Sequence, residues 1–85
     1  MDRQAIHDTV KTYILEQFLP GEDPNELTDD TPLMTTGILD SLATLKLVSF
    51  LEERFGIHIE AHEANPANLD SVADITALVQ RKQQK

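Results

Sequence analysis

One serine, Ser41, stands where an acidic loop meets an amphipathic helix, within residues 37–42 (Gly-Ile-Leu-Asp-Ser-Leu). The sequence holds no cysteine, which excludes thiolate nucleophiles, disulfides and thiolate metal ligands. An unassisted hydroxyl is a weak nucleophile, and no Gly-x-Ser-x-Gly elbow surrounds this serine. The chain of 85 residues is also too short for the usual hydrolase frame. Ser41 Oγ is therefore the best candidate for a reactive atom, but not for serine-histidine-aspartate catalysis.

The other groups that could carry chemistry have simpler interpretations. His58 and His62 are four residues apart, a spacing that can present two metal ligands, but zinc needs at least three ligands from the protein. His7 has no identifiable acid-base partner and is expected to be a solvated helix residue. Asp70 and Ser71 repeat the Asp-Ser dipeptide without the upstream glycine, and are expected to form an ordinary helix cap. We therefore expect no metal site and no enzyme activity.

The charge of the chain excludes some partners and favours others. Its formal net charge is -8, whereas phosphate binding needs clustered Lys and Arg, so no nucleic acid is expected. Residues 20–40 hold no Lys or Arg but six acidic residues: Glu22, Asp23, Glu26, Asp29, Asp30 and Asp40. No apolar run approaches the roughly 20 residues that span a bilayer, and no signal-peptide pattern is present. We expect a cytoplasmic monomer with basic partners and no membrane contact.

Hydrophobic spacing predicts the elements that must position Ser41. Residues 1–85 suit a single domain, and a first helix is predicted from about Asp2 to Leu19. Residues 20–40 then predict a long loop, with a short turn near residues 25–27. A short helix is expected around His62–Asn65, before Pro66, and a last helix begins near Asp70 and Ser71. The predicted fold is an all-α four-helix bundle of three longer helices and one short one.

The second helix is predicted to run to about Phe55, with Asp40 or Ser41 as N-cap and Gly56 as the residue after its end. At 100° per residue its apolar side chains fall on two faces. The predicted core stripe is Thr44, Leu47, Val48, Leu51 and Phe55. The opposite face carries Leu42, Leu45 and the small Ser49. This second face is interpreted as a surface for transient partners, or as scattered surface leucines.

These residues resemble the phosphopantetheine attachment region of acyl and peptidyl carrier proteins. The resemblance spans most of the chain and includes an Asp-Ser-Leu helix start in an acidic four-helix sequence. The residues that carry it are, in chain order, Gly37-Ile38-Leu39, Asp40-Ser41-Leu42, Leu45, Leu47-Val48, Leu51-Glu52-Glu53, Phe55-Gly56-Ile57, Ile59-Glu60 and Leu69-Asp70-Ser71-Val72.

The resemblance implies a carrier on which Ser41 Oγ receives 4′-phosphopantetheine from coenzyme A through a phosphopantetheinyl transferase. The thiol of that arm would hold an acyl or aminoacyl group as a thioester. Asp40 would engage the transferase and its metal or serve only as a cap, and Gly37 would permit the turn into the helix. Leu42 and Leu45 would contact partner enzymes, among them an adenylating acyl or aminoacyl ligase and downstream transferases or synthases.

Three positions depart from the pattern of fatty-acid carriers. Lys46 and Ala43 stand where acidic residues are frequent in that family, and Phe50 is a large ring where small side chains are common. They favour a discrete carrier of an aminoacyl or short acyl group, with Phe50 filling the space that long acyl chains need, and a carrier for fatty-acid synthesis is the alternative within the family. The alternative is a noncatalytic acidic helical module for protein-protein interaction, in which Ser41 is only a helix cap.

Overall fold

The described part of the chain folds into four α-helices in this computed structural model. The structure describes residues 2–21 and 23–83, so Glu22 of the acidic segment lies outside the described residues. The helices are α1 (Arg3–Phe18), α2 (Ser41–Phe55), α3 (Pro66–Leu69) and α4 (Val72–Gln83), with 3₁₀ turns at Pro24–Glu26 and Ala61–Glu63. Neither described range contains a strand, and neither contains a helix long and apolar enough to cross a membrane. The predicted all-α bundle of three longer helices and one short helix is confirmed.

The ends of α1 and α2 follow from local chemistry. Asp2 caps α1, because its carboxylate accepts a hydrogen bond from the Ala5 amide at 2.8 Å. Gly56 ends α2 in the left-handed conformation, with φ of 65°, and its amide donates to Glu52 O at 3.0 Å. A glycine adopts this conformation without the steric cost of a Cβ atom. The predicted bounds of both helices are confirmed to within one residue.

One cluster of buried apolar side chains joins the helices and the long loop. The helices supply it at intervals of three and four residues, as the sequence pattern predicts. Its fully or nearly fully buried members include Ile6, Val10 and Ile14 of α1, Leu47 and Leu51 of α2, Val72, Ile75, Leu78 and Val79 of α4, and Leu27, Leu33 and Leu39 of the loop. The loop between α1 and α2 is thus anchored in the core at three leucines.

The short helix lies later than the sequence prediction placed it. It was expected around His62–Asn65, where the structure has only the 3₁₀ turn Ala61–Glu63. The α-helical turn begins instead at Pro66 and ends at Leu69. Proline suits the first position of a helix, because its φ is already helical and the amide there needs no partner within the helix. Pro66 therefore starts the short helix, whereas the prediction ended it there.

Candidate functional site

Ser41 is the first residue of α2 and is exposed. The residue before it, Asp40, is the N-cap: its Oδ1 accepts from the Ala43 amide at 2.8 Å and its carbonyl oxygen from the Thr44 amide at 2.8 Å. The sequence left Asp40 and Ser41 as alternative caps, and the structure assigns the cap to Asp40. The hydroxyl of Ser41 is therefore not used to close the helix.

The start of α2 suits an anion attached at Ser41 Oγ. The amides of the first helical turn have no acceptor within the helix, and the aligned peptide dipoles place partial positive charge at this end. Asp40 accepts from Ala43, but the amides of Ser41 and Leu42 precede that bond in the chain. An anionic group on the serine would lie near these amides, as anions commonly do at helix N-termini.

A groove of about 660 Å³ opens beside Ser41. It lies between the first turns of α2 and the segment that contains α3, and its lining is mainly apolar: Met34, Leu39, Asp40, Ser41, Thr44, Leu45, Ala61, Ala64 and Pro66. Within the described residues, Thr44 Oγ1 is buried without a hydrogen-bond partner. Buried hydroxyls are usually satisfied, so this one is a candidate donor for a group that enters the groove. The groove can accommodate an elongated group joined to Ser41 Oγ.

The two faces predicted for α2 are present. On the core side Thr44 is buried with Leu47 and Leu51, while Val48 and Phe55 are only half-buried. Leu42 and Leu45 are 62% and 66% exposed, and Ser49 is exposed as well. The predicted exposure of the second face is therefore confirmed, whereas the role of these leucines in binding partners stays a prediction.

Gly37 lies in the turn that leads into α2. Its φ is 85°, in the left-handed region, and its amide donates to Met34 O at 3.2 Å. The loop closes again when the Leu39 amide donates to Leu33 O at 2.9 Å. These bonds make residues 33–39 a folded turn that ends next to Asp40, as expected for the role proposed for Gly37 from the sequence.

The prediction for Asp70 and Ser71 is half right. Ser71 Oγ accepts from the Asp74 amide at 3.1 Å and caps α4, as expected. The carboxylate of Asp70 instead accepts from the Met34 amide at 2.8 Å and the Thr35 amide at 3.0 Å. The Thr35 hydroxyl donates to its other oxygen at 3.1 Å. These hydrogen bonds favour the ionised carboxylate and lower the pKa of Asp70, and the bond from the Thr35 amide has the largest effect.

His7 is not the solvated residue that the sequence predicted. Its side chain is 20% exposed, and its ring nitrogens lie 3.0 Å from Asp8 Oδ1 and 2.5 Å from Asp29 Oδ1. The hydrogen bond with Asp29, which favours the charged imidazolium, is the main reason that the pKa of His7 is raised. The carbonyl oxygen of Asp29 also accepts from the Ala73 amide at 3.1 Å. Asp29 thus connects the loop to both α1 and α4, a connection between residues distant in sequence that no local pattern could reveal.

His58 has acidic neighbours that the sequence did not suggest. His58 is exposed, and its ring nitrogens lie 3.2 Å from Glu52 and 3.0 Å from Glu60. No group of three or more potential ligands across residues 2–21 and 23–83 is arranged to hold a metal ion.

Phe50 stacks on Tyr13 with ring centroids 3.9 Å apart, in the contact between α1 and α2. It does not line the groove beside Ser41, and its role in filling the space that long acyl chains need stays a prediction.

Comparison with known proteins shows a matching family and several similar carrier proteins. The model of a family described as "phosphopantetheine attachment site" matches residues 14–79. A probable acyl carrier protein, PigG of Serratia sp. (strain ATCC 39006), is 42% identical over 69 residues, which are 81% of this chain and 78% of that protein. An acyl carrier protein of Akkermansia muciniphila is 32% identical over 83 residues, or 98% of this chain and 99% of that protein.

Two further similarities concern an aminoacyl carrier and a solved structure. A D-alanyl carrier protein of Streptococcus suis is 36% identical over 58 residues, or 68% of this chain and 70% of that protein. A chain in the crystal structure of an FAD-dependent dehydrogenase has a TM-score of 0.74 and 34% sequence identity. The match covers 82% of this chain and 97% of that one. The helical fold is therefore shared with a solved structure along most of its length.

Proposed function

The chain belongs to the family of proteins with a phosphopantetheine attachment site, and on that premise we propose that Ser41 Oγ is its attachment atom. The protein is a carrier that holds an acyl or aminoacyl group as a thioester on covalently attached 4′-phosphopantetheine. The observation that carries the assignment is the position of Ser41, which is exposed and is the first residue of α2. Its hydroxyl is not needed as the helix cap, because Asp40 is the N-cap.

The residues around Ser41 fit the group. Its phosphodiester would lie beside the amides of Ser41 and Leu42, and its chain could follow the groove beside α2. When bound, the group supplies the thiol that a cysteine-free chain lacks. The protein's own residues orient the serine, favour the anion and present the site; we propose that the chain catalyses no reaction by itself.

The partners follow from what a carrier needs. A phosphopantetheinyl transferase would modify Ser41, an adenylating acyl or aminoacyl ligase would load the thiol, and downstream transferases or synthases would take the cargo. We propose that Gly37, Asp40, Leu42 and Leu45 form the surface that these enzymes contact. The exposure of both leucines supports this, because large exposed apolar side chains next to a reactive position are typical of transient interfaces. We further propose a single domain over residues 1–85 that acts as a monomer in the cytoplasm.

For the cargo we propose an aminoacyl or short acyl group. Lys46 is exposed on α2 and Ala43 replaces an acidic residue frequent in fatty-acid carriers, so this helix is less acidic than theirs. The similarity to a D-alanyl carrier protein supports an aminoacyl cargo.

Intact mass after incubation with coenzyme A and a broad-specificity transferase tests the assignment. Attachment should add about 340 Da, the mass of the transferred group. Ser41→Ala should abolish the gain, while Ser49→Ala, a matched change of an exposed serine on the same helix, should leave it unchanged. A gain that survives Ser41→Ala would refute Ser41 as the attachment atom.

A panel of acyl and aminoacyl ligases, supplied with the modified protein, would then identify the cargo class. The alternative function, a noncatalytic interaction module, predicts no mass gain with any transferase. Its premise that Ser41 is only a cap is weakened, because Asp40 holds that position.

A further inference from the structure

We propose that Asp70, which directly follows α3 and lies two residues before α4, is a positioning residue for the modification of Ser41. It holds the turn of residues 33–39 in the shape that the transferase meets. The inference rests on the proposed function, because it concerns the same serine, but it assigns a role to a residue 29 positions further along the chain.

The contacts of Asp70 converge on three consecutive residues of the turn. Oδ1 accepts from the amides of Met34 and Thr35 at 2.8 and 3.0 Å, and Oδ2 from the Thr35 hydroxyl at 3.1 Å. The backbone oxygen of Asp70 accepts from the Leu33 amide at 2.6 Å. Hydrogen bonds to an ionised acceptor are stronger than neutral ones, so one side chain fixes the conformation of this segment.

The turn that Asp70 holds is connected to Ser41 by one hydrogen bond and two neighbouring residues in the chain. Leu33 O accepts from the Leu39 amide at 2.9 Å, and Leu39 is followed directly by the cap Asp40. Met34, whose amide Asp70 holds, also lines the groove beside Ser41. One wall of that groove therefore depends on the carboxylate of Asp70, and the approach to the cap adjoins the segment that the same residue holds through its backbone oxygen.

The position of Asp70 also explains why its effect should be on recognition. It is half-buried at the edge of the bundle, whereas Leu69 and Val72 beside it are fully buried and supply the packing. Without the carboxylate the core contacts remain, but the turn must be ordered when the transferase binds. That ordering cost raises KM for the carrier and leaves kcat of the bound complex unchanged.

The test measures kcat and KM of a phosphopantetheinyl transferase for the apo-protein with coenzyme A. Asp70→Ala should raise KM about tenfold with kcat unchanged, the scale of losing a set of charge-assisted hydrogen bonds. Asp70→Asn, which keeps one acceptor oxygen, should recover part of the loss. Asp74→Ala is the matched control, because it removes an exposed carboxylate four residues further along the chain, in the first turn of α4, and should leave KM unchanged.

A comparison at equal stability separates positioning from a structural role. Val79→Ala truncates a buried side chain in the second half of α4, and the assay temperature is chosen so that this variant and Asp70→Ala are equally folded by circular dichroism. A structural role predicts equal KM values for the two, and that result would overturn the proposal. If Asp70→Ala does not fold, Thr35→Val, which removes one hydroxyl from an exposed residue, should raise KM two- to threefold.

Amide hydrogen exchange provides a readout independent of the transferase. Asp70→Ala should accelerate exchange at Met34 and Thr35 but not at Leu78 in the core. Unchanged exchange at both turn amides would overturn the proposal. Wild-type protein that gains no mass, with exchange at Met34 and Thr35 accelerated by the substitution, would instead refute the proposed function and leave only the contact.

Discussion

The contact between α1 and α4 differs in kind from the contact that holds the start of α2. In the first, both helices contribute fully buried apolar side chains to one core cluster: Ile6, Val10 and Ile14 on α1, and Val72, Ile75, Leu78 and Val79 on α4. The second is a turn held by directional hydrogen bonds to Asp70, next to a helix face with two exposed leucines. Apolar burial is nondirectional and gives stability, whereas the polar contacts define one local shape.

This difference separates the task of staying folded from the task of presenting Ser41. A substitution in the core cluster that α1 and α4 share should change stability and leave the shape of the site intact in the molecules that remain folded. A substitution at the start of α2 should change the presentation of Ser41 and leave stability nearly unchanged. Three measurements sharpen this comparison, in addition to those on Ser41 and Asp70.

The largest effect is expected for Leu78→Ala in the core cluster that α1 and α4 share. Leu78 is fully buried, and its truncation should lower the free energy of unfolding by about 2–5 kcal/mol through lost burial and a cavity. Urea unfolding measures the loss, with the exposed Asp74→Ala expected within about 0.5 kcal/mol of the wild type. At temperatures where the variant is folded, modification of Ser41 should proceed at the wild-type rate; a slower rate would show that the two regions are not separable.

A smaller and pH-dependent effect is expected for His7→Gln. The folded-state pKa of His7 is raised, so its contribution to stability is complete below the ordinary value of about 6.5 and is lost as the pH rises through the raised value. The melting temperature of the variant should therefore fall further below wild type at pH 5.5 than at pH 8.5. The corresponding loss in the free energy of unfolding should stay under about 1 kcal/mol, because the carboxylates of Asp8 and Asp29 that pair with His7 are exposed.

Asp29→Asn is the companion variant for that measurement, since it neutralises the partner on the loop. It should reduce the same pH dependence, whereas Asp30→Asn, an exposed neighbour with no contact to His7, should not. A stability difference for His7→Gln that grows toward pH 8.5 would contradict the predicted direction.

The smallest effect on stability is expected for Leu45→Ala. The side chain is 66% exposed, so its truncation should change the free energy of unfolding by no more than about 0.5 kcal/mol. Turnover by the transferase should nevertheless fall, because the proposed partner surface loses an apolar contact. If Leu45→Ala melted below Leu78→Ala, the assignment of faces on α2 would be wrong.

The sequence predicted the features that depend on local chemistry. The bounds of α1 and α2, the left-handed Gly56, the exposure of Leu42 and Leu45 and the helical fold all follow from spacing, capping residues and turn residues. The short helix was misplaced because proline ends one helix and begins another with equal ease, and the sequence around Pro66 did not distinguish the two.

What the sequence could not reveal are the contacts between distant residues. Asp70 meets Thr35 across 35 positions and His7 meets Asp29 across 22. Asp70 has an adequate local explanation as a cap, and His7 has one as a helix residue. The stacking of Phe50 on Tyr13 is a third such contact, and the size of Phe50 alone did not reveal it. In each case tertiary packing decided between orientations that local patterns leave equal.

The stacking of Tyr13 on Phe50 makes the protein its own optical probe. The sequence has one tyrosine and no tryptophan, so all its fluorescence excited near 280 nm arises from this ring at the contact between α1 and α2. The Tyr13 hydroxyl also donates to Lys46 O, in the helix that begins with Ser41. Any loading step or partner that shifts α2 against α1 would change the emission of the unlabelled protein, without an introduced dye.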